Sequence, residues 1–341
     1  MLFSWAILAT TFVPSLGHGN LQFPPPWTNP GGWLANRTTL QCRIGCIEKF
    51  AFRGIYDHKP GCDCWWYTNG TRIPGEPTIP DDSPLRTFFD DEDRSTKPWR
   101  APGTSTFYPC GAFGGNPSGL DHRPLRLSSN ASSEPLKVPQ NGILRGGCGY
   151  GMDARDVDFP EVVTSTYRSG SVIETVWGIS ANHGGGYSYR LCRLPANGKT
   201  DITEECFQKT PLRFEGTKQA IQFYNGTRVY FEGMKTSNGT YPPGSEWMRN
   251  PIPACKPHGE PSTSPGCPDG TQFEPPVPEA FGFGVYRLDN VAGKWYFEWS
   301  IVDRVVLPPG LEPGLYVLGF RWDTEGEDQA WASCADIEIV D

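Results

Sequence analysis

The feature that most constrains this chain is a side-chain period of two that recurs along it. In residues 294–306, Trp295, Phe297, Trp299 and Ile301 alternate with more polar positions, the pattern of a half-buried strand. Runs rich in β-branched and aromatic residues at 172–181, 187–194, 220–224 with 228–232, 315–322 and 335–340 read the same way, each bounded by Gly, Pro or Asn. Asn225-Gly226 between two of these runs predicts a tight hairpin turn. Helical periodicity is scarce. Short strands with no intervening helices predict an all-β chain, a sandwich of two sheets. Composition agrees: 40 Gly and 34 Pro in 341 residues, 13% aromatic and only 20% charged residues suit a loop-rich β protein.

Two stretches break the pattern. Residues 68–140 are rich in Pro, Ser, Gly and Asp, with an acidic knot at Asp90-Asp91-Glu92-Asp93, and residues 239–278 are Pro-rich around Cys255 and Cys267. Both are expected to be long, disulfide-stapled loop insertions in one domain spanning 18–341.

Residues 1–17 read as a secretory signal peptide. An apolar run from Leu2 to Val13 is followed by Pro14 and small residues, with Ser15 and Gly17 at the −3 and −1 positions. The run is too short to span a bilayer, and no later segment approaches one that could. All eleven cysteines (42, 46, 62, 64, 110, 148, 192, 206, 255, 267, 334) follow residue 17, which suits an oxidising compartment. Five bridges and one leftover thiol are possible, and spacing does not decide the pairing. Sequons at Asn36, Asn69, Asn130, Asn225 and Asn238 place those loops at the surface of a secreted glycoprotein. The net charge of −8 argues against nucleic acid and anionic membranes as partners; a neutral polymer is compatible with it.

Cleavage after Gly17 makes His18 the first residue. A terminal His offers its α-amine and its imidazole to one ion, and an amine pKa of about 7.7–8 lets a metal displace the proton at neutral pH. One further imidazole completes the planar nitrogen set that Cu(II) prefers. His183 is the candidate, on a Gly-rich turn in Asn182-His183-Gly184-Gly185-Gly186-Tyr187. Other clusters are weaker. His58 with Cys62 and Cys64 reads as disulfide chemistry in a secreted chain, and His122 and His258 read as solvated loop residues. The acidic knot lacks a calcium-loop spacing, and no Ser or Cys nucleophile motif is present.

Several segments, taken in order, resemble the lytic polysaccharide monooxygenases, and most nearly their eukaryotic subgroup related to chitin-binding type-4 domains. They are His18-Gly19 with Pro24-Pro25-Pro26, Gly147-Cys148-Gly149, Asn182-His183-Gly184-Gly185 with Tyr189-Arg190-Leu191-Cys192, 315–322, and Gln329-Ala330-Trp331 leading to Asp336. The resemblance covers both ends and the middle of the chain and neither insertion. It implies a fibronectin/immunoglobulin-like β-sandwich and one copper ion held by the His18 amine, the His18 ring and His183. Gln329 matches a polar residue that orients bound oxygen species. Trp331 stands at the axial position, where the family has Tyr or Phe. Indole has no lone pair for a metal, so Trp331 is expected to cap the copper and shape access to it, or else to be an ordinary core residue.

The implied activity is oxidative cleavage of a β-linked polysaccharide, chitin or cellulose, by a secreted monomer using an external electron donor and O2 or hydrogen peroxide. Trp27 and Trp33 are candidates for stacking on sugar rings; the alternative for both is the core. Two other readings stay open: a non-catalytic copper-binding protein, and a metal-free carbohydrate-binding or wall protein.

Overall fold

The computed structural model describes residues 18–27, 68–69, 109–113, 152–156, 162–182, 184–223, 225–237, 240–254, 267, 270–278, 280–282, 299–323 and 329–341. His183, Trp33, His58, Cys62, Cys64, His122, His258, the 147–149 segment and the acidic knot lie outside them.

The strands are β1 (His18–Phe23), β2 (Thr68–Asn69), β3 (Ala112–Phe113), β4 (Met152–Asp153), β5 (Ser165–Arg168), β6 (Val172–Ala181), β7 (Gly186–Arg193) and β8 (Arg213–Phe214). They continue as β9 (Lys218–Phe223), β10 (Arg228–Glu232), β11 (Lys235–Thr236), β12 (Trp247–Arg249), β13 (Trp299–Val306), β14 (Gly314–Asp323) and β15 (Gln329–Val340). One sheet has the order β1-β6-β13-β9-β10, with β8 also on β13. The other has the order β11-β12-β7-β14-β15-β2, with β5 parallel to β15; β3 and β4 form a separate pair. The chain is thus a two-sheet β-sandwich, as its period of two predicts. β6 coincides with the expected strand at both ends, and β7, β9, β10, β13, β14 and β15 fall on the other expected runs.

Alternation decides what lies between the sheets. Trp177 of β6, Tyr187, Tyr189 and Leu191 of β7, Phe320 and Trp322 of β14, and Trp331 and Ala335 of β15 all point inward and are fully buried. Their rings form a continuous chain: Trp177 lies 4.5 Å from Tyr187 and 5.6 Å from Trp322, and Trp322 lies 6.5 Å from Trp331, centroid to centroid. Each large ring removes about 150–250 Å² from water. At about 25 cal/mol per Å² that is about 4–6 kcal/mol per ring, so these few residues dominate the core.

β7 and β14 are buried on their second face as well. There Trp27, Cys110, Ile202, Phe207, Val317 and Cys334 make a smaller core, closed by the disulfides Cys110–Cys334 and Cys192–Cys206. Cys267 is also disulfide-bonded. Phe207 belongs to α1 (Glu204–Lys209), a helix that strand periodicity does not foresee. Its local signal is Thr203, whose hydroxyl caps the Cys206 N–H, followed by Glu204 and Glu205 in the first turn.

The second Pro-rich stretch also differs from expectation. β12 lies inside it, and Trp247, Met248, Asn250, Ile252 and Ala254 are buried. Antiparallel pairing of β12 with β7 satisfies its backbone and draws those residues into the core.

A buried carboxylate sits between the sheets. Asp303 of β13 accepts hydrogen bonds from the Tyr187 hydroxyl (3.0 Å), the Tyr189 hydroxyl (2.9 Å) and the Gln219 amide (2.7 Å). Burial pushes its pKa up to about 6, against the lowering effect of those three donors. Between roughly pH 4 and 6 the folded chain therefore holds this proton more tightly than the unfolded chain. Stability from this group is full below pH 4 and falls as pH rises through 6, by about 3 kcal/mol. Asp303→Asn should remove that component. Unfolding free energies of the two proteins, measured from pH 4 to pH 7, should converge or cross by about that amount; parallel curves would show that Asp303 does not titrate in this range.

Candidate metal centre

The strand register assembles one end of the sandwich. At the start of β1, His18 pairs with Ala181, the last residue of β6. The chain then crosses between the sheets and resumes as β7 at Gly186, which pairs with Asp323 at the end of β14. Asp323 in turn pairs with Ala330 at the start of β15, next to Gln329. The backbones of His18, Asn182, Gly184 and Gln329 therefore share one end, because antiparallel pairing brings strand starts and ends together in rows.

The crossing segment is tightly held where it is described. The Asn182 side chain uses all its bonding capacity. Its Nδ2 donates to the carbonyls of Ile252 (2.9 Å) and Gly282 (3.1 Å). Its Oδ1 accepts from the Gly184 N–H (2.9 Å) and from Asn250 Nδ2 (2.7 Å). The Asn250 N–H donates to the Gly185 carbonyl at 2.9 Å. Gly184 and Gly185 have φ of 68° and 88°, a region that other residues enter only with strain.

Trp322 joins this segment to β1. Its indole N–H donates to the Gly184 carbonyl at 2.8 Å. A Cβ built on Gly19 would meet the Trp322 ring at 2.7 Å, so the backbone of β1 packs directly against that indole and leaves no room for a side chain there.

Asn182→Ala would strand the Gly184 N–H and the carbonyls of Ile252 and Gly282 in a buried setting and leave Asn250 Nδ2 only its 3.5 Å contact with the Gly184 carbonyl. The expected loss is about 2–3 kcal/mol, read as a fall in the denaturant midpoint at unchanged slope. A change under about 0.5 kcal/mol would mean that the Asn250 and Trp322 bonds to the Gly185 and Gly184 carbonyls hold the segment without Asn182.

Of the residues expected to act here, His18 and Gln329 are described by backbone only, both in strands at this end. Trp331 is fully buried in the main core, its ring beside that of Trp322. Trp27 requires a correction. It is 2% exposed, its indole N–H donates to Asp336 (2.6 Å), and Lys199 lies 4.3 Å from its ring centroid. After β1 the chain passes over the edge of β15, where the Trp27 N–H donates to the Cys334 carbonyl. The ring enters the second core and presents no face to a sugar.

Behind this end, on the outer face of the second sheet, lies a buried ion quartet. Glu204 of α1 pairs with Arg190 of β7 and Arg321 of β14, and Arg321 grips Asp323 at 2.7 and 2.9 Å. The four side chains are at most 4% exposed. Burial raises the Asp323 pKa although Arg321 and Arg190 pull it down. Burial likewise lowers that of Arg190, against the attraction of Glu204. Two cations and two anions leave the group neutral.

In the sequence Asn182 stood out only as the neighbour of His183, and Arg190, Arg321 and Trp322 only as members of the resembling segments with no role of their own; Asn250, Glu204 and Asp323 did not stand out. Asn182 had a local signal in its place before the Gly-rich turn; Asn250, 68 positions away, had none. Among the described residues no group of three or more His, Cys, Asp or Glu is placed to hold a metal. No helix there is long and apolar enough to cross a membrane.

No family model matches the chain. Several solved structures match parts of the chain at low TM-scores. A chitin binding domain from Burkholderia pseudomallei matches with 12% identity over 52% of this chain and 57% of that one, at a TM-score of 0.25. The lytic polysaccharide monooxygenase AA15 from Thermobia domestica matches with 17% identity over 55% and 66%, at 0.24. The AA10 lytic polysaccharide monooxygenase from Streptomyces lividans matches with 10% identity over 56% and 69%, at 0.26. All three likenesses are distant. The chain spans only 57% of the first and 66% of the second.

Proposed function

We propose that this chain is a secreted, copper-dependent monooxygenase acting on a β-linked polysaccharide, chitin or cellulose. The copper would be held by the α-amine and ring of His18 and by the ring of His183. The observation that supports it most is the register of β1 on β6. It sets the backbone of His18 opposite Ala181, at the end where Asn182 and Gly184 flank position 183.

The described residues fit such a centre. Glycine at position 19 lets β1 lie against Trp322, and the bond from Trp322 to Gly184 fixes the start of β1 relative to the crossing segment. Gly19 and Gly184, the neighbours of the two candidate ligands, thereby rest on one indole. Outer-shell support of this kind sets how precisely ligands are held. An amine and two imidazoles make the nitrogen set that Cu(II) favours.

Bound there, copper supplies one-electron chemistry with an external electron donor and O2 or hydrogen peroxide, enough to oxidise a C–H bond beside a glycosidic link. The protein's part is to fix geometry. Gln329, at the first position of β15, is assigned to hydrogen-bond the oxidant. Trp331 is assigned to close the site from beneath, as a large apolar ring that keeps water from the core side.

The test uses protein beginning at His18. Copper is titrated calorimetrically and by electron paramagnetic resonance, then ascorbate and chitin or cellulose are added and products are analysed by mass spectrometry. One copper per chain with oxidised oligosaccharides is the expected result. Copper binding without oxidised products would reduce the protein to a copper carrier, and absence of stoichiometric copper would end the proposal.

A further inference from the structure

We propose that Asn225 carries an N-linked glycan whose first sugar seats on the Phe223–Thr227 pair and becomes part of the β9–β10 hairpin. This inference needs passage through a glycosylating secretory compartment and does not depend on copper.

The tight hairpin turn that Asn225-Gly226 predicts joins β9 to β10. The Phe223 N–H donates to the Thr227 carbonyl at 2.8 Å, and the Gly226 N–H returns to the Phe223 carbonyl at 2.9 Å. Gly226 has a φ of 86°. These bonds close the turn between Phe223 and Thr227, cross-strand neighbours just beyond the Gln222–Arg228 pair.

At the tip, Asn225 is exposed and its Oδ1 accepts the Thr227 N–H at 2.9 Å. That bond ties the amide to the backbone of Thr227, the cross-strand neighbour of Phe223. Its Nδ2, the atom that would be glycosylated, has no bond to another described residue. Thr227, which completes the sequon, is exposed too. Phe223 is half-buried, packing one part of its ring on the main core and leaving the rest at the surface. An amide tied to a threonine opposite a partly bare aromatic ring gives an attached pyranose an apolar face to cover.

The rest of the strand has the same need. Among the described residues β10 pairs only with β9, and Val229 and Tyr230 are 37% and 57% exposed. An uncovered edge bearing apolar side chains invites pairing between molecules. A glycan rooted at the hairpin tip screens it.

The transfer balances without redox change. An oligosaccharide on a lipid diphosphate is the donor. The bond from Asn225 Nδ2 to the sugar's anomeric carbon forms, the bond from that carbon to the diphosphate oxygen breaks, and Nδ2 gives up one proton. The hairpin is local and forms in microseconds, so it can receive the sugar early and then keep it in place.

The experiment uses the full chain secreted from a eukaryotic host, as wild type and as Thr227→Val. The variant abolishes the sequon while keeping a β-branched side chain and the backbone N–H that Asn225 binds; the other four sequons remain in both. Expected results are glycan on Asn225 in nearly all wild-type molecules by peptide mass spectrometry, and a Tm for Thr227→Val lower by about 2–4 °C. Wild type trimmed enzymatically to the first sugar should keep its Tm. An unmodified Asn225, or equal melting of wild type and variant, would overturn the inference. Neither result bears on copper.

Discussion

A single residue placed ahead of His18 is expected to weaken copper binding by on the order of 100-fold or more, and to abolish polysaccharide oxidation. The extra residue converts the α-amine, whose pKa is about 7.7–8, into an amide nitrogen with no lone pair to give. The chelate loses one of its three nitrogens, and the ring that joined amine and imidazole on one residue is opened. Loss of an outer-shell partner alone costs about 10–100-fold in affinity, so loss of a ligand should cost more. The β1–β6 register begins at His18 itself, and an added residue lies outside it. The extended protein should accordingly keep its Tm without metal. Competition titration and the Cu(II) resonance spectrum check the affinity, and product analysis checks the activity. Unchanged copper affinity in the extended chain would remove the foundation of the proposed centre.

The largest effect on stability is expected from Glu204→Gln. Glu204 is the carboxylate shared by Arg190 and Arg321, and each of these groups is nearly inaccessible to water. Neutralising it leaves two buried guanidiniums facing only Asp323. Arg190 already has its Nε and one terminal nitrogen without a partner. Removing one member of a buried ion network costs about 3–5 kcal/mol, because a charge remains where water cannot reach it. Measured by denaturant unfolding at pH 7, the variant should lose that amount at an unchanged slope. A loss under 1 kcal/mol would mean that the quartet behaves as a screened surface pair. Because Arg321 also holds Asp323, beside Ala330 and Gly186 in the strand register, the same variant should loosen the end of the sandwich that bears the proposed centre.

How much was legible follows from the range of each interaction. Val172–Ala181 was readable to the residue because a strand announces itself through a local period. The Gly-rich crossing was readable because only glycine takes the φ values found at 184 and 185. Trp27 was not readable, since an aromatic ring suits a sugar and a core equally well, and what decided was the path of the chain across β15. Nor was the second core, in which Ser188 and Arg190 alternate with core residues as if facing solvent yet lie under α1 and its neighbours. The same core holds the Cys110–Cys334 bond, which joins positions 224 apart in sequence.

The sequence by itself therefore determined the long strands of the two sheets and the turns that join them, and it put forward His18 and His183 as candidate copper ligands. Each of these rests on chemistry within a few residues. Tertiary structure alone decided that β1 opens opposite the end of β6, that Trp322 and Asn250 hold the crossing between the sheets, and that Glu204 neutralises two arginines. These depend on register and packing between segments far apart in the chain, where many pairings suit the local pattern and only the joint burial of all of them selects one.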